Sequence, residues 1–238
     1  MTDIKKDTPV THKQQFVNSI AGSILSGRYR VGERLLTERE LAAQMNISKS
    51  VVHAGMESLS HMGLVEIKPQ SGIYVADYLK TGNIDTLNAI VKYNGDHLGY
   101  DTVSAILDLR LVVEGTAFLR LGSCRSHEHI AELRRQIKGI SDQHLGGGNT
   151  EYFAELFFQW HRSICVYSGS VMLPLLMNAT HDVSIAFWIR YIEIKGLTAA
   201  IERLNRFTDL LEDGNGTGAY ELLESGIHEY LKAVRQEE

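Results

Sequence analysis

Cysteine, proline and long apolar runs are scarce in this chain of 238 residues. Its two cysteines, Cys124 and Cys165, form neither a disulfide framework nor a zinc motif, so we expect small buried residues in a reducing cytoplasm. Three prolines leave room for long helices. No apolar run approaches the length that spans a bilayer, and the polar N-terminus does not resemble a signal peptide. These absences predict a cytoplasmic protein with no membrane partner.

The chain as a whole also lacks net positive charge, since its formal net charge is −5. The charge is unevenly divided, however. Residues 1–76 contain nine lysines and arginines against seven acidic residues, whereas residues 77–238 contain fifteen against twenty-two. The first part can therefore approach phosphates, and we expect the acidic remainder to face away from them.

Two short helices joined by a tight break are predicted between Leu35 and Gly63. Thr37 can cap the first helix, and Glu40 follows three residues later, which is the pattern of a capping box. Ser48 can cap the second helix after Asn46 interrupts the first. Apolar residues recur at helical spacing in both, namely Leu41, Ala42 and Met45, then Val52, Met56, Leu59 and Met62.

The second helix begins with three hydrogen-bond donors on the side away from its apolar stripe, namely Lys49, Ser50 and His53. Two strand-like runs, 64–68 and 73–75, flank a turn directly after it. An earlier helix around Phe16–Leu25 completes the layout of a winged helix-turn-helix DNA reader. A solvated helix face followed by a plain hairpin is the alternative interpretation.

The run from Gly27 to Val75 resembles the GntR family of bacterial transcription regulators. The residues that carry the resemblance are Gly27–Gly32, Leu36–Ala42, Ile47–Val52, Gly63–Glu66 and Ser71-Gly72. The chain departs from the usual pattern at Lys49 and His53, where the family has arginine, and at Pro69 and Gln70, where it has glutamine and glycine. The resemblance implies a homodimer that binds a double-stranded DNA operator. The implied DNA-binding residues are Arg39, Ser48, Lys49, Ser50, His53, Gln70, Ser71 and Gly72.

Residues beyond 76 show helical patterning throughout. The predicted helices are Ile84–Lys92, Tyr100–Leu121, Ser126–Leu145, Thr150–Tyr167, Val171–Ile194, Leu197–Leu211 and Gly218–Val234. The predicted fold is therefore mainly α, with a winged helix-turn-helix followed by an all-α antiparallel bundle of six or seven helices. The predicted boundaries are a disordered N-terminus at 1–10, the DNA-binding domain at 11–76, a linker at 77–83, and an effector-binding and dimerisation domain at 84–238.

The helical part resembles the effector-binding domain of the FadR subgroup of that family. Asp108-Leu109-Arg110 with Glu114, and Phe153–Leu156 through His161 to Ser168-Gly169, carry this second resemblance. Many members of the subgroup bind a divalent metal through an aspartate, a histidine four residues later and two further histidines. Here Phe157 stands at the aspartate position, and only His161 and His228 are candidate ligands. Two ligands of four make a poor metal site, so we predict no metal cofactor.

Five residues are expected to line an effector cavity in the bundle, namely Arg110, Phe157, Trp160, His161 and His228. Arg110 could instead pair with Asp108 or Glu114 along its own helix. The sequence thus predicts a transcription regulator, not an enzyme, whose effector is an organic acid or an acyl compound and either releases or tightens DNA binding. A metal-dependent sensor or enzyme-like domain fused to a DNA-binding module is the alternative.

Overall fold

The computed structural model describes residues 11–94 and 100–237, which fall into two compact units divided between Tyr93 and Asn94. Three helices and a hairpin form most of the first unit: α1 (His12–Leu25), α2 (Glu38–Met45), α3 (Lys49–His61), β1 (Val65–Lys68) and β2 (Gly72–Val75). The predicted winged helix-turn-helix is confirmed. The expected disorder at 1–10 lies outside the described residues.

Each of these helices begins at a side chain that satisfies an amide of the first turn. Thr11 Oγ1 accepts a hydrogen bond from the Gln14 amide at 3.2 Å, and Ser48 Oγ accepts one from the Val51 amide at 3.3 Å. Thr37 and Glu40 form the predicted capping box: the Glu40 amide donates to Thr37 Oγ1, and the Thr37 amide donates to Glu40 Oε2. The sequence alone therefore fixes where these helices start.

The helix-turn-helix break is made at Asn46, which is left-handed with φ of 53°. Asparagine tolerates this conformation better than most residues, so α2 ends there and the chain turns into α3. Beyond α3, β1 and β2 pair antiparallel, with Val65 opposite Val75 and Lys68 opposite Gly72. The hairpin is the predicted wing.

The core of the first unit lies between α1, α3 and the wing. Its members include Phe16, Ile20, Leu41, Val52, Met56, Leu59, Leu64 and Ile73. A Cβ on Gly55 would lie 2.3 Å from Cδ1 of Phe16, so glycine at this position allows α1 and α3 to pack closely. This packing holds the outer face of α3 in a fixed position.

The structure differs from the predicted linker at 77–83. This stretch contains a short helix, α4 (Tyr78–Thr81), and is followed by α5 (Ile84–Asn94). Thr81 Oγ1 donates to the Gly63 carbonyl at 2.9 Å, and Asn83 Nδ2 donates to the His61 carbonyl at 2.7 Å. Because these bonds tie both segments to the end of α3, they belong to the first unit rather than to the helical domain.

The second unit is entirely helical in the part that the structure describes, as predicted. Its elements are α6 (Tyr100–Arg110), a π-helical segment (Leu111–Gly115), α7 (Thr116–Cys124), α8 (His127–Gly146), α9 (Thr150–Tyr167), α10 (Met172–Ala179), α11 (His181–Lys195), α12 (Leu197–Glu212) and α13 (Gly216–Glu237). The predicted single helix over Val171–Ile194 is two helices, because the chain breaks at Thr180.

Candidate functional site

The outer face of α3 presents the predicted donors to solvent. Ser48, Lys49, Ser50 and His53 are all exposed, as is Arg39 on α2. The Ser48 and Ser50 hydroxyl oxygens lie 3.0 Å apart. The first turns of α3 thus combine a cation, hydroxyls and an imidazole on one accessible surface, which is what base-edge and phosphate contacts need.

His53 lies between two carboxylates. Its Nδ1 is 2.7 Å from Glu38 Oε1 on α2, and its Nε2 is 3.6 Å from Glu57 Oε1 one turn further along α3. The hydrogen bond to Glu38, together with the negative charge of both carboxylates, raises the pKa of His53 above its ordinary value, while Lys49 opposes the shift. Protonation of this imidazole therefore compensates the negative charge of the two carboxylates on this exposed surface.

The tip of the wing is also exposed. Gln70 adopts a left-handed conformation with φ of 61°, Ser71 Oγ lies 2.9 Å from the Tyr74 hydroxyl, and Gly72 has φ of 125°. The sequence did not mark Arg34, which forms a β-bridge with Tyr74. Its side chain lies close to the wing: a Cβ built on Gly72 would be 2.7 Å from Arg34 Nε. This exposed cation beside the wing carries no helical or strand pattern that could have marked it.

A cavity of about 20 Å³ lies inside the second unit, which is room for a water molecule. It is lined by Leu107, Arg110, His161, Phe187, Trp188, Tyr191, Ala200, Arg203, Leu204, Phe207, Leu223, Gly226, Ile227 and Tyr230. Most of the lining is aromatic or aliphatic, and its polar groups are few. That composition is typical of a small-molecule site.

A buried ion pair stands at one side of this cavity. Arg110 donates from Nε to Glu114 Oε1 at 2.7 Å and from Nη2 to Glu114 Oε2 at 2.8 Å. The guanidinium also lies over the rings of Phe187 and Trp188, at 4.5 and 4.6 Å from their centroids. Of the alternatives that the sequence left open for Arg110, the structure has the pair with Glu114.

Burial by itself would raise the pKa of Glu114, but the charges and hydrogen bonds of Arg110 and His161 hold it well below its ordinary value. His161 Nδ1 is 2.8 Å from Glu114 Oε2, within ion-pair distance. Burial is the largest influence on His161 and lowers its pKa. The site therefore holds an ionised carboxylate paired with a guanidinium, beside an imidazole whose pKa is lowered by burial.

The five predicted effector residues are not brought together. Arg110 and His161 line the cavity, whereas Phe157 and Trp160 are buried in the core outside its lining. Phe157 stacks on Trp188 with ring centroids 5.1 Å apart. The prediction for His228 is wrong: its side chain is exposed.

Two positions that sequence reasoning missed take part in the lining. Gly226 of α13 lines the cavity, whereas His228 of the same helix does not. Arg203 of α12 also lines the cavity. Arg203 lies three residues after Ala200 and four before Phe207, within the apolar stripe of its helix. A lone cation inside an apolar stripe is the signal that could have identified it.

The lining does not fit a divalent metal. His161 is its one imidazole, and the guanidinium groups of Arg110 and Arg203 would repel a cation there. Within residues 11–94 and 100–237, no three His, Cys, Asp or Glu side chains are grouped so as to hold a metal ion.

Two family models match the chain in succession. Residues 13–75 match the model of bacterial regulatory proteins of the gntR family, and residues 105–229 match the FCD domain. The chain belongs to the gntR family. It is a transcription regulator with a helix-turn-helix DNA-binding domain and an FCD effector domain.

Relatives of this gntR-family regulator are distant in sequence. It is 25% identical over 203 residues to the uncharacterized HTH-type transcriptional regulator YcbG of Bacillus subtilis, covering 82% of each chain. It is 21% identical over 178 residues to the fatty acid metabolism regulator protein of Pectobacterium carotovorum, covering 74% of this chain and 69% of that one.

A solved structure of Lar, described as controlling the Listeria monocytogenes agr system, matches 98% of this chain and 100% of its own. The TM-score is 0.64 at 14% identity, a likeness of fold alone. Across the described residues of this gntR-family chain, no helix is both long and apolar enough to cross a membrane.

Proposed function

We propose that this gntR-family regulator acts in the cytoplasm as a homodimer that binds a two-fold DNA operator, and that a small organic effector in the FCD domain changes this binding. The observation that carries the proposal is the exposed donor set at the start of α3, beside an exposed wing. Arg39, Ser48, Lys49, Ser50 and His53 act on the major groove and its phosphates in this proposal. Gln70, Ser71 and Gly72 act at the wing tip.

Dimerisation is supported by apolar residues that the second unit leaves in solvent. Val112 of the π-helical segment is 66% exposed, and Leu175 of α10, an element that contacts that segment, is 54% exposed. Large exposed apolar surfaces mark protein interaction sites, and these side chains could contribute to one. A second copy covering them would join two winged domains in one molecule.

A selection from a pool of random-sequence duplexes tests the DNA part of the proposal. Full-length protein should enrich sequences with two inverted half-sites whose centres are about one helical turn, or a multiple of it, apart. A scrambled duplex of the same composition serves as the control in fluorescence anisotropy. Enrichment of no sequence, or of single half-sites only, contradicts the proposal.

Effector binding in the FCD domain is supported by the cavity and by Arg203 and His161 in its lining. The relative named as a fatty acid metabolism regulator is a reason to include acyl compounds among the candidates. A cavity of about 20 Å³ is room for one water molecule, so side chains must move to admit either a small organic acid or an acyl chain. Binding to one arrangement of the dimer more tightly than to another would shift operator affinity.

The metal-dependent alternative has a direct test. We expect elemental analysis of the purified protein to find well under one equivalent of zinc, manganese or nickel. A metal that binds only the native state stabilises it by mass action, so removing it would lower the melting temperature. Because we expect no bound metal, treatment with EDTA should leave the melting temperature unchanged. One full equivalent of metal, lost together with stability on chelation, would favour the alternative.

A further inference from the structure

The cation of the FCD cavity that is available to a ligand is not the one that sequence patterning singles out. We propose that Arg203, held against Gly226, receives the carboxylate of a small organic acid, whereas Arg110 belongs to a structural ion pair. This inference rests on the proposed function, since it names the ligand class and the residue that recognises it.

The charge of Arg110 is already paired. Two of its nitrogens donate to the two oxygens of Glu114, and its flat faces lie against Phe187 and Trp188. Glu114 is 1% exposed, so an Arg110 that turned towards a ligand would leave a carboxylate charged, buried and unpaired. The pair is electrically neutral and offers an incoming anion no net attraction.

Among the described residues, Arg203, unlike Arg110, neither donates hydrogen bonds to a carboxylate nor has its charge neutralised by one. Arg203 Nη2 donates a hydrogen bond to the Leu222 carbonyl, and the guanidinium lies 5.7 Å from the centroid of the Phe207 ring. In the part of the chain that the structure describes, no carboxylate lies within ion-pair distance of it. A guanidinium has five N–H donors in a planar fork, so Arg203 retains donors and an uncompensated charge for a carboxylate.

Gly226 makes the position of Arg203 possible. A Cβ built on Gly226 would lie 1.6 Å from Nη2 and 2.1 Å from Cζ of Arg203. No side chain fits between α13 and the guanidinium, so the residue at 226 must be glycine for Arg203 to occupy this place. Because the obstructed atoms are the far end of a flexible side chain, a larger residue would displace the guanidinium rather than the helix.

The remaining groups narrow the ligand to a monocarboxylate with an apolar body. His161 is 1% exposed, and its Nε2 has no hydrogen-bond partner among the described residues. The other walls are mainly aromatic and aliphatic, and they must move apart to admit a ligand, because the cavity of about 20 Å³ has room for one water molecule. One uncompensated positive charge balances one carboxylate, whereas a phosphate dianion would carry excess negative charge into this apolar surrounding.

The test is a thermal-shift titration of the full-length protein with sodium acetate, butyrate, hexanoate and benzoate, each beside its neutral primary amide. We expect wild type to be stabilised by at least one carboxylate and not by the matching amide. Arg203→Gln should weaken the apparent affinity for that carboxylate by about tenfold to a hundredfold and remove the preference over the amide. Arg206→Gln, which removes an exposed arginine from the same helix, is the matched control and should respond as wild type does.

A second pair of variants tests the role of Gly226. Gly226→Ala keeps every charge but displaces the guanidinium, so it should reproduce the loss seen in Arg203→Gln. Gly139→Ala is its matched control, because a Cβ at that helical glycine meets nothing within 4 Å. The double variant Arg110→Met/Glu114→Gln removes the ion pair together with its buried charge, and it should keep the preference for carboxylate over amide.

Three results would overturn the proposal. They are a wild-type preference retained in Arg203→Gln, a preference retained in Gly226→Ala although the guanidinium is displaced, and a wild type that prefers no carboxylate of the panel. The proposed function fails in a different experiment, when the duplex selection enriches no two-fold DNA sequence. The two failures are therefore distinguishable.

Discussion

Two exposed cations on the helix-turn-helix carry the residue-level prediction for DNA. Neither Lys49 nor Arg39 has a carboxylate within ion-pair distance in the described structure, so each can contact a guanine edge or a phosphate. Lys49→Ala and Arg39→Ala should each weaken specific binding, by about 1–3 kcal/mol if the side chain makes a base contact. Anisotropy titration of a selected duplex measures the loss. Arg206→Ala, a change in the FCD domain, should leave affinity unaltered; wild-type affinity in both test variants would contradict the assignment of α3.

The imidazole of His53 predicts a pH-dependent operator affinity. Its hydrogen bond to Glu38, and the charge of that carboxylate, raise its pKa, and a nearby DNA phosphate favours the same protonated form. Affinity should therefore rise as the pH falls through the raised pKa. Anisotropy titrations between about pH 8 and pH 6 measure the response, on either side of the unperturbed value near 6.5. His53→Gln should flatten it.

Glu38→Gln separates this explanation from a general effect of pH. Removing the carboxylate should lower the pKa of His53 and move the midpoint of the response to lower pH, without abolishing it. The same linkage gives the sign for folding: the Glu38–His53 pair stabilises the protein below the unfolded pKa of histidine, and the contribution is lost as the pH rises through the folded pKa. An unchanged midpoint in Glu38→Gln would show that His53 titrates independently of Glu38.

The buried pair in the FCD domain predicts a loss of stability when one partner is removed. Arg110→Met leaves Glu114 charged without its guanidinium, which should cost about 3–5 kcal/mol of unfolding free energy. Arg110→Met/Glu114→Gln should recover most of that loss, because no buried charge remains unpaired. Urea unfolding followed by tryptophan fluorescence reports on this domain, since both tryptophans, Trp160 and Trp188, lie in it. Equal losses in the single and double variants would mean that the pair is not coupled.

Individual side chains differed in how far the sequence could predict them. The donors of α3 were predictable because the caps at Thr37 and Ser48 fix where the helices start. His228 was misplaced although periodicity marks its face: Ile227, Tyr230 and Val234 are the buried residues of α13, and His228 is turned by roughly 100° from Ile227. The contact of Arg203 with Gly226 was not predictable, because it depends on how closely α12 and α13 approach each other.

At the scale of elements, Gly63 joins α3 to the segment expected to be a linker. It has φ of +68°, and a Cβ there would lie 2.3 Å from the Thr81 carbonyl oxygen. Gly63→Ala should therefore combine backbone strain with a clash against α4. Gly27→Ala, at φ of +74° with nothing within 4 Å of its Cβ, is the control for strain alone, which costs about 1–2 kcal/mol. Calorimetry should show a larger loss for Gly63→Ala, and equal losses would mean that α4 does not pack there in solution.

The same packing explains which elements the sequence could not place. Apolar periodicity predicts that residues 84–92 are helical but not which unit the helix joins, because that depends on bonds such as Asn83 to the His61 carbonyl. The π-helical segment at 111–115 is likewise absent from the pattern, since it shifts the register of a continuous helix without ending it. The π-helical segment contains Glu114. The sequence therefore predicted a helix at the ion pair but not the local backbone geometry that positions Glu114.

For the whole molecule, the division of charge makes affinity depend on the number of winged domains on one duplex. Residues 1–76 have a net charge of only +2, and the remainder has −7, so a single copy neutralises few phosphates. The logarithm of the binding constant should fall with the logarithm of salt concentration with a slope of about −0.9 per phosphate contacted. A duplex with both half-sites should therefore give about twice the slope of a duplex with one, and sedimentation should find two chains bound to it.

A variant that blocks self-association tests whether the second copy is the cause. Val112→Glu/Leu175→Glu places charge on the exposed apolar residues of the second unit and leaves the winged domain untouched. We expect it to sediment as a monomer and to bind the two-site duplex with the slope that wild type shows on one half-site. Ser141→Glu, a polar change on α8, controls for added negative charge and should keep both the dimer and the doubled slope. If the Val112→Glu/Leu175→Glu protein remains dimeric, the dimer forms through another surface; if wild type binds as one chain with a single slope, the homodimer is wrong.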